Sequence, residues 1–491
     1  MGYYMCKSFK HLILLYICFC STTSYAKTLN VDIKNTACNE QYGQPFCHIN
    51  SAIKFSSPDD IIHVASGTYI ETLIIDKNIK IIGSDRQNTV IDGARKSSVI
   101  EILPGVRSQL KSLRIQNGYA TNGGGILNYG SLLLDDIQIS YNFAQFSGGG
   151  IFNASSIIGS LYIKNTVIEH NQALGNDKQN IKYGGGGIYN SSPLILENSK
   201  LQFNRAVDNG GGLYTIHTGR KKSSEGEIIA EKLGINSASK RIRSLRRIKD
   251  LGSVYIKNSL IHQNYAEAGG GINVHGVLNI TASIISQNQA TNGFRSAGGG
   301  LFAHFDTTLS MSNVIVNFNK ATFRGGGIRF YSVASGKFFN VSIIDNEVIK
   351  DFGQGAGLFV IKGENNLEIQ NSLIARNYIN SELVDDCYGA FKSIGHNYLS
   401  SIQNCSSFNP TIDLHQPLTG VDHLYQWDES QSQYKTLSSS LLNDAGQSTG
   451  CKNEKDKLLT TDVYGNQRHV DSDANGVPQC DIGAIEYIPN T

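Results

Sequence analysis

Residues 123–142 read GGGILNYGSLLLDDIQISYN, and residues 148–171 repeat the wording as GGGIFNASSIIGSLYIKNTVIEHN. Each copy opens on three glycines and an aliphatic residue. Each closes on apolar–x–apolar–x–Asn or Asp–x–x–apolar–x–x–Asn. The triplet returns at 185–187, 210–212, 269–271, 298–300 and 325–327, and Gly355-Ala356-Gly357 makes an eighth copy. The steps between last glycines are 25, 37, 25, 59, 29, 27 and 30 residues, and periods of roughly 20–50 residues signal a solenoid. The closing column is Asn142, Asn171, Asn204, Asn264, Asn288, Asn319, Asn346 and Asn377. Six residues earlier stand Asp136, Asn165, Asn198, Asn258, Ala282, Asn313, Asn340 and Asn371.

Short alternating apolar runs broken by Gly and Asn are strand and turn chemistry. In a parallel β-helix identical positions stack about 4.8 Å apart. The Asn columns then become amide ladders at bends, the glycines permit a tight corner or positive φ, and the apolar columns fill one continuous core. The β-rich runs exclude an α-solenoid, and the spacing does not suit propeller blades of about 40 residues.

Composition agrees. Gly is 51 of 491 residues but Pro only 8, which excludes collagen and proline-rich linkers. A net charge of +2 offers no general attraction for nucleic acid, and no nucleic-acid partner is expected. Lys7 and Lys10, the apolar run 12–20 and Ser24-Tyr25-Ala26 form an export signal, with a mature start at Lys27. No later apolar stretch reaches membrane-spanning length, so no transmembrane segment is expected after signal removal. The expected location is extracellular or the outer surface, with the periplasm as the other compartment. Six cysteines remain: Cys38, Cys47, Cys387, Cys405, Cys451 and Cys480. An even number in an exported chain reads as disulfides, and nearest-neighbour pairing is the simplest of the connectivities.

Residues 61–93, IIHVASGTYIETLIIDKNIKIIGSDRQNTVIDG, resemble the first coils of pectin-lyase-like right-handed β-helices. The GGG-I and I-x-x-N wording is similar to that of polymorphic outer membrane proteins, where GGA-I and F-x-x-N are usual. From Asp386-Cys387 through SIGHNYL, NDAG, YGNQRHVD and CDIGAIEY, the tail resembles the C-terminal module of choice-of-anchor Q proteins. The expected fold is therefore all-β, a right-handed parallel β-helix solenoid with capped ends. Its roughly eleven coils would run about 50 Å. The divisions are a signal peptide 1–26, an N-terminal cap 27–60, a β-helix 61–380 and a C-terminal module 381–491 that closes the far end. The resemblances imply a surface-associated or secreted, adhesin-like monomer that binds a glycan or cell-surface component. The pectin-lyase-like likeness also implies an alternative, a polysaccharide lyase or glycoside hydrolase on an acidic polysaccharide.

Outward positions of the coils are the ones free to act. The residue two after each triplet gives Leu127, Phe152, Tyr189, Tyr214, Asn273, Phe302, Arg329 and Phe359. Its aromatic members Phe152, Tyr189, Tyr214, Phe302 and Phe359 read as a platform for sugar rings or a partner, or else as a small core under a covering loop. A second outward column runs Asp135, Lys164, Glu197, Lys257. Its alternating charge reads as an ion ladder. As catalysts, Asp135 and Glu197 would stand two coils and about 9.6 Å apart, near the inverting-hydrolase window, with Lys164 between them.

The 59-residue step contains a basic insertion at 219–252, with ten Lys/Arg and four acids. Ile242, Leu245, Ile248 and Leu251 give it an amphipathic helical period. Arg243, Arg246 and Arg247 make it a candidate for an anionic glycan or headgroup. Asp471-x-Asp473-x-Asn475-Gly476 has the spacing of a calcium loop but lacks Glu at the twelfth position, and a plain turn is the other reading. No other cofactor is expected.

Overall fold

The computed structural model describes residues 26–489, apart from 155–158, 176–183, 217–252, 292, 294–295, 332–333, 362–365, 407, 417–423, 432 and 473–474. The expected export signal, up to residue 25, and the basic insertion, with Arg243, Arg246 and Arg247, lie outside the described residues.

The chain is a right-handed parallel β-helix. One coil runs from the triplet at 123–125 into the strand Ile126–Asn128, through the long bent strand Ser131–Ser140, past Asn142 and into Phe143–Ser147. Each of these strands pairs in parallel with its counterpart one coil on. The sheet that follows the triplets has eleven strands, from Leu73–Ile75 to Cys387–Tyr388, one for each of eleven coils. Both columns drawn from the sequence are in register, Leu127–Phe152–Tyr189–Tyr214 and Asp135–Lys164–Glu197–Lys257.

The triplet has a steric cause. Its first glycine has φ between 57° and 71° in all eight copies, a region costly for residues with a Cβ. A Cβ on the second, at Gly211, would lie 2.4 Å from the Tyr265 carbonyl oxygen, and one on the third, at Gly212, 2.7 Å from the Gly271 oxygen. The coil-to-coil amide pairing therefore leaves no space for side chains at these positions; only in the eighth copy, next to the last coil, does a methyl group fit, where Ala356 packs with Val348 and Ile379.

The two Asn columns differ. The closing column is a continuous buried ladder. In each coil the amide oxygen accepts the backbone N–H and the side-chain N–H of the preceding Asn, as Asn264 accepts from Asn204 at 3.0 and 3.1 Å. The ladder ends on Asp386, which accepts from the Asn377 backbone and side chain, the Ser400 hydroxyl and the Ser401 N–H. Burial pushes its carboxyl up to about 6, against the pull of these donors. The column six residues earlier is instead a bend, with φ of 46° to 58°, where Asn is tolerated better than most residues. Several of its side chains turn outward: Asn165 donates to Asp135, and Asn313 and Asn340 donate to carbonyls of the tail.

At the N-terminal end the helix Ile49–Phe55 buries Ile49, Ala52 and Ile53 against the strands Thr28–Val31, Ile61–Val64 and Leu73–Ile75. It covers core that a solenoid end would otherwise expose. All three cysteine pairs are nearest neighbours: Cys38–Cys47, Cys387–Cys405 and Cys451–Cys480, with Cα separations of 5.1, 5.5 and 5.2 Å.

The C-terminal segment corrects one expectation. Cys387, Phe391, Leu399 and Cys405 do finish the core at the far end. The remainder does not continue that closure. Leu424, Tyr425, Tyr434, Ile482 and Ile485 fold back along the side of the late coils and bury Ile315, Ile344 and Leu373. The outer face of those coils is apolar, so it requires a cover. The fold-back is fastened by a fully buried Arg468–Glu486 ion pair at 3.1 Å, and Arg468 also donates to the Asn313 side chain and the Gly483 carbonyl.

Candidate functional site

The carboxylates considered for catalysis are brought together only through cations. Lys164 Nζ lies 3.2 Å from Asp135 Oδ2, and Lys257 Nζ lies 3.3 Å from Glu197 Oε1. Asn165 donates to the remaining oxygen of Asp135, and the Tyr162 hydroxyl donates to Glu197 at 2.7 Å. The Tyr162 hydroxyl, and after it Lys257, holds the Glu197 carboxyl below its usual range. Both acids are engaged by cations of the neighbouring coils, as in the ion ladder of the two readings.

The aromatic column is largely covered. Tyr214, Phe302 and Phe359 keep only 6%, 5% and 4% of their surface exposed. Phe152 and Tyr189 are half-buried and stack on one another, centroids 4.6 Å apart and planes 1° from parallel. Burial pushes the Tyr189 hydroxyl up to about 12. Sugar stacking needs a free ring face, and coil-to-coil stacking spends those faces within the protein. The column is a small secondary core.

In the calcium-like loop, both Asp471 oxygens accept turn amides, from Asn475 and Gly476, and the Asn475 side-chain oxygen accepts from Val477. Asp473 lies outside the described residues. Cys451, Cys480 and Glu486 converge, but the two sulfurs are bonded to each other, so the group is no metal centre.

A different surface combines openness with unbalanced charge. It is the second half of the long strands, after the bend, on the coils upstream of the folded-back tail. A groove of about 360 Å³ there is lined by Arg86, Arg114, Lys200, Glu169, Gln138 and Gln202, among others. Gln138 and Gln202 each donate to one oxygen of Glu169 at 2.7 Å. Arg86 pairs with Asp136 at 3.3 Å at the groove's margin. Lys200 and Arg114 have no carboxylate partner among the described residues, and Arg114 Nε has no hydrogen-bond partner. Three cations thus face one lining carboxylate whose oxygens are already engaged.

Beside this groove runs a stack of three rings from consecutive coils. Tyr141 lies 5.1 Å from His170 and His170 lies 5.0 Å from Phe203, with planes within 4° of parallel. Tyr141 and Phe203 are 51% and 39% exposed. Their inner faces are taken by each other, so between the end rings the stack presents ring edges to solvent, the electropositive part of an aromatic ring. His262 sits edge-on to Phe203 at the downstream end, and burial holds its imidazole below the ordinary range. All three rings occupy the position just before the ladder Asn. That position also has positive φ, 54° to 58° in these residues, and the resulting turn directs side chains outward where simple alternation does not.

No protein-family model matches the chain, and no curated protein matches it. Among solved structures it is similar to the pectate lyase Pel9A, at 12% identity and a TM-score of 0.36, over 95% of this chain and 97% of that one. It is also similar to the pectin methylesterase PemA from Erwinia chrysanthemi, at 12% identity and a TM-score of 0.20, over 79% and 94% of the two chains. A mutant pectin methylesterase in complex with a hexasaccharide gives 10% identity and a TM-score of 0.19, over 80% and 95%. At these scores the likeness bears on nothing beyond the β-helical winding.

Proposed function

We propose that this chain is an exported, surface-associated or secreted β-helix protein that binds an acidic polysaccharide along the groove of Arg86, Arg114 and Lys200. The observation that carries the reading is the excess of cations in that groove, two of them without a carboxylate partner among the described residues. Acidic sugars supply the missing counter-charge, and the Gln138 and Gln202 amides beside it suit hydroxyl groups. A ligand of repeating units suits a surface whose own unit repeats at each coil. Three disulfides fit an oxidising compartment. The resemblance of the repeats to polymorphic outer membrane proteins, and of the tail to choice-of-anchor Q modules, favours an adhesive role at a cell surface.

Cleavage of the same ligand is the second reading, favoured by Lys200. An amine without an ion-pair partner beside two guanidinium groups is the set that an elimination on a uronic acid uses. The guanidinium groups would hold the carboxylate, and Lys200 in its neutral form would take the proton from the carbon next to it; a C=C bond would form as the adjacent glycosidic C–O bond breaks, and the departing oxygen would take a proton from water. The test is co-sedimentation and sizing of polygalacturonate, hyaluronate and a neutral glucan with the full mature chain. Binding of the acidic polymers only, weakened by salt and left intact, supports the first reading. Shortened chains would replace it with the second. Equal binding of the neutral glucan would remove both.

A further inference from the structure

The outer face of the eleven-stranded sheet holds a second group of cations. Arg329 stands in the column between Phe302 and Phe359, one coil from each. Its guanidinium lies 4.6 Å from the Phe302 ring centre and 5.2 Å from that of Tyr331. The Arg324 guanidinium lies 5.1 Å from the Phe359 ring centre. Several other cations meet carboxylates: Lys164 with Asp135, Lys320 with Glu347, Arg376 with Asp345 and Arg468 with Glu486. Neither Arg324 nor Arg329 has such a partner among the described residues. Burial, and after it the charge of Arg324, act against the Arg329 cation. Ring contacts offset part of that cost, but they leave the net charge of the pair uncompensated.

Arg329 Nη2 donates to the Tyr331 hydroxyl at 3.5 Å, and its Nε is buried without a hydrogen-bond partner. A guanidinium can take a planar carboxylate with two parallel bonds. We infer that Arg324 and Arg329 form an anion site that takes a carboxylate group, separate from the groove of Arg86, Arg114 and Lys200 and independent of its function.

The test uses the full mature chain and sodium glucuronate at constant ionic strength, read by isothermal titration and by thermal midpoint. Saturable binding that raises the midpoint is expected. Arg324→Ala, a substitution at an exposed side chain, should weaken binding about tenfold or more, and Arg329→Lys, which keeps the charge and loses the fork, should weaken it as well. Lys320→Ala, at a cation already paired with Glu347, should bind glucuronate as the parent does, which separates this site from a general effect of positive charge. Unchanged binding in Arg324→Ala, or no saturable binding in the parent, would overturn the assignment. Sulfate binding as tightly as glucuronate would overturn the preference for a carboxylate.

Discussion

Replacing Asn264 by Ala removes one rung of the buried ladder, and the cost follows from what is left bare. The Asn264 oxygen accepts the Asn204 backbone N–H at 3.0 Å and its side-chain N–H at 3.1 Å, while the Asn264 amide donates to the Leu201 carbonyl at 2.8 Å and to Asn288. Asn204 keeps its bond to the Ile168 carbonyl, and Asn288 still accepts the backbone N–H of residue 264. Two groups lose their partner in a dry interior, the Asn204 backbone N–H and one N–H of its side-chain amide. At about 1–3 kcal/mol for each unsatisfied buried group, the loss is about 2–6 kcal/mol. Asn258→Ala, six residues earlier, removes an exposed side chain at a bend. The next coil already carries Ala282 at that position with φ 46°, so the expected cost there is at most about 1 kcal/mol. The assay is the denaturant midpoint of both variants against the parent, with hydrogen exchange to place the damage on the coils of Asn204 and Asn264. Equal losses in the two variants would refute the distinction between a hydrogen-bonded ladder and a bend column.

Three further outcomes are expected. Gly211→Ala places a Cβ 2.4 Å from the Tyr265 oxygen, so it should lower the yield of folded protein or the midpoint by more than Asn258→Ala does; parent-like stability would contradict the close approach. Asp386 is raised to about 6 in the fold by burial against an ordinary value of about 3.9, so its contribution is fully present below the ordinary value and is lost as pH rises through about 6. Asp481 and Glu486 are also raised by burial and act in the same direction. Denaturant midpoints between pH 4.5 and 7.5 should therefore fall with rising pH, and a rise across that window would count against the burial of these acids. Trp427 is the single tryptophan and packs edge-on to Phe318 and Tyr434, 5.0 Å from each. Reduction of Cys451–Cys480 should shift its emission to the red before the coils lose their circular dichroism, because the disulfide closes a loop in the tail alone; simultaneous loss would show that tail and coils unfold as one.

The winding was legible because its constraints repeat. Eight triplets and eight closing Asn residues fall in register on successive coils, and the steric and hydrogen-bonding reasons for each can be stated from the residue types alone. The nearest-neighbour disulfides followed from order along the chain. The surface was less legible for a physical reason. Alternation assigns Phe152, Tyr189 and Tyr214 to the outside, which is correct, but it carries no information on what lies over them or on whether ring faces are spent on each other. It also fails at Tyr141, His170 and Phe203, because the left-handed turn before each ladder Asn interrupts the two-residue period. The usable signal was the variable residue in [I/L]-x-[Y/H/F]-N, which cannot enter the core while its Asn neighbour does. Arg86 and Arg114 were out of reach for another reason. They precede the first triplet, and only the register of the coils places them beside Lys200. The fold-back of the tail was hidden in the apolar outward residues Ile315, Ile344 and Leu373, which break the polar pattern set by Gln138, Glu169 and Lys200 on earlier coils.

The central claim is that the open groove upstream of the tail holds an acidic polysaccharide. The most direct measurement compares the affinity of polygalacturonate for the mature chain and for its Lys200→Ala, Arg114→Ala variant, at low and moderate salt, with the polymer sized before and after. Two charge contacts at about 0.5–1 kcal/mol each correspond to roughly a 5–30-fold loss. That loss, a smaller salt dependence in the variant and an unchanged polymer length are the predicted result. Equal affinity and equal salt dependence in the two proteins would contradict the account.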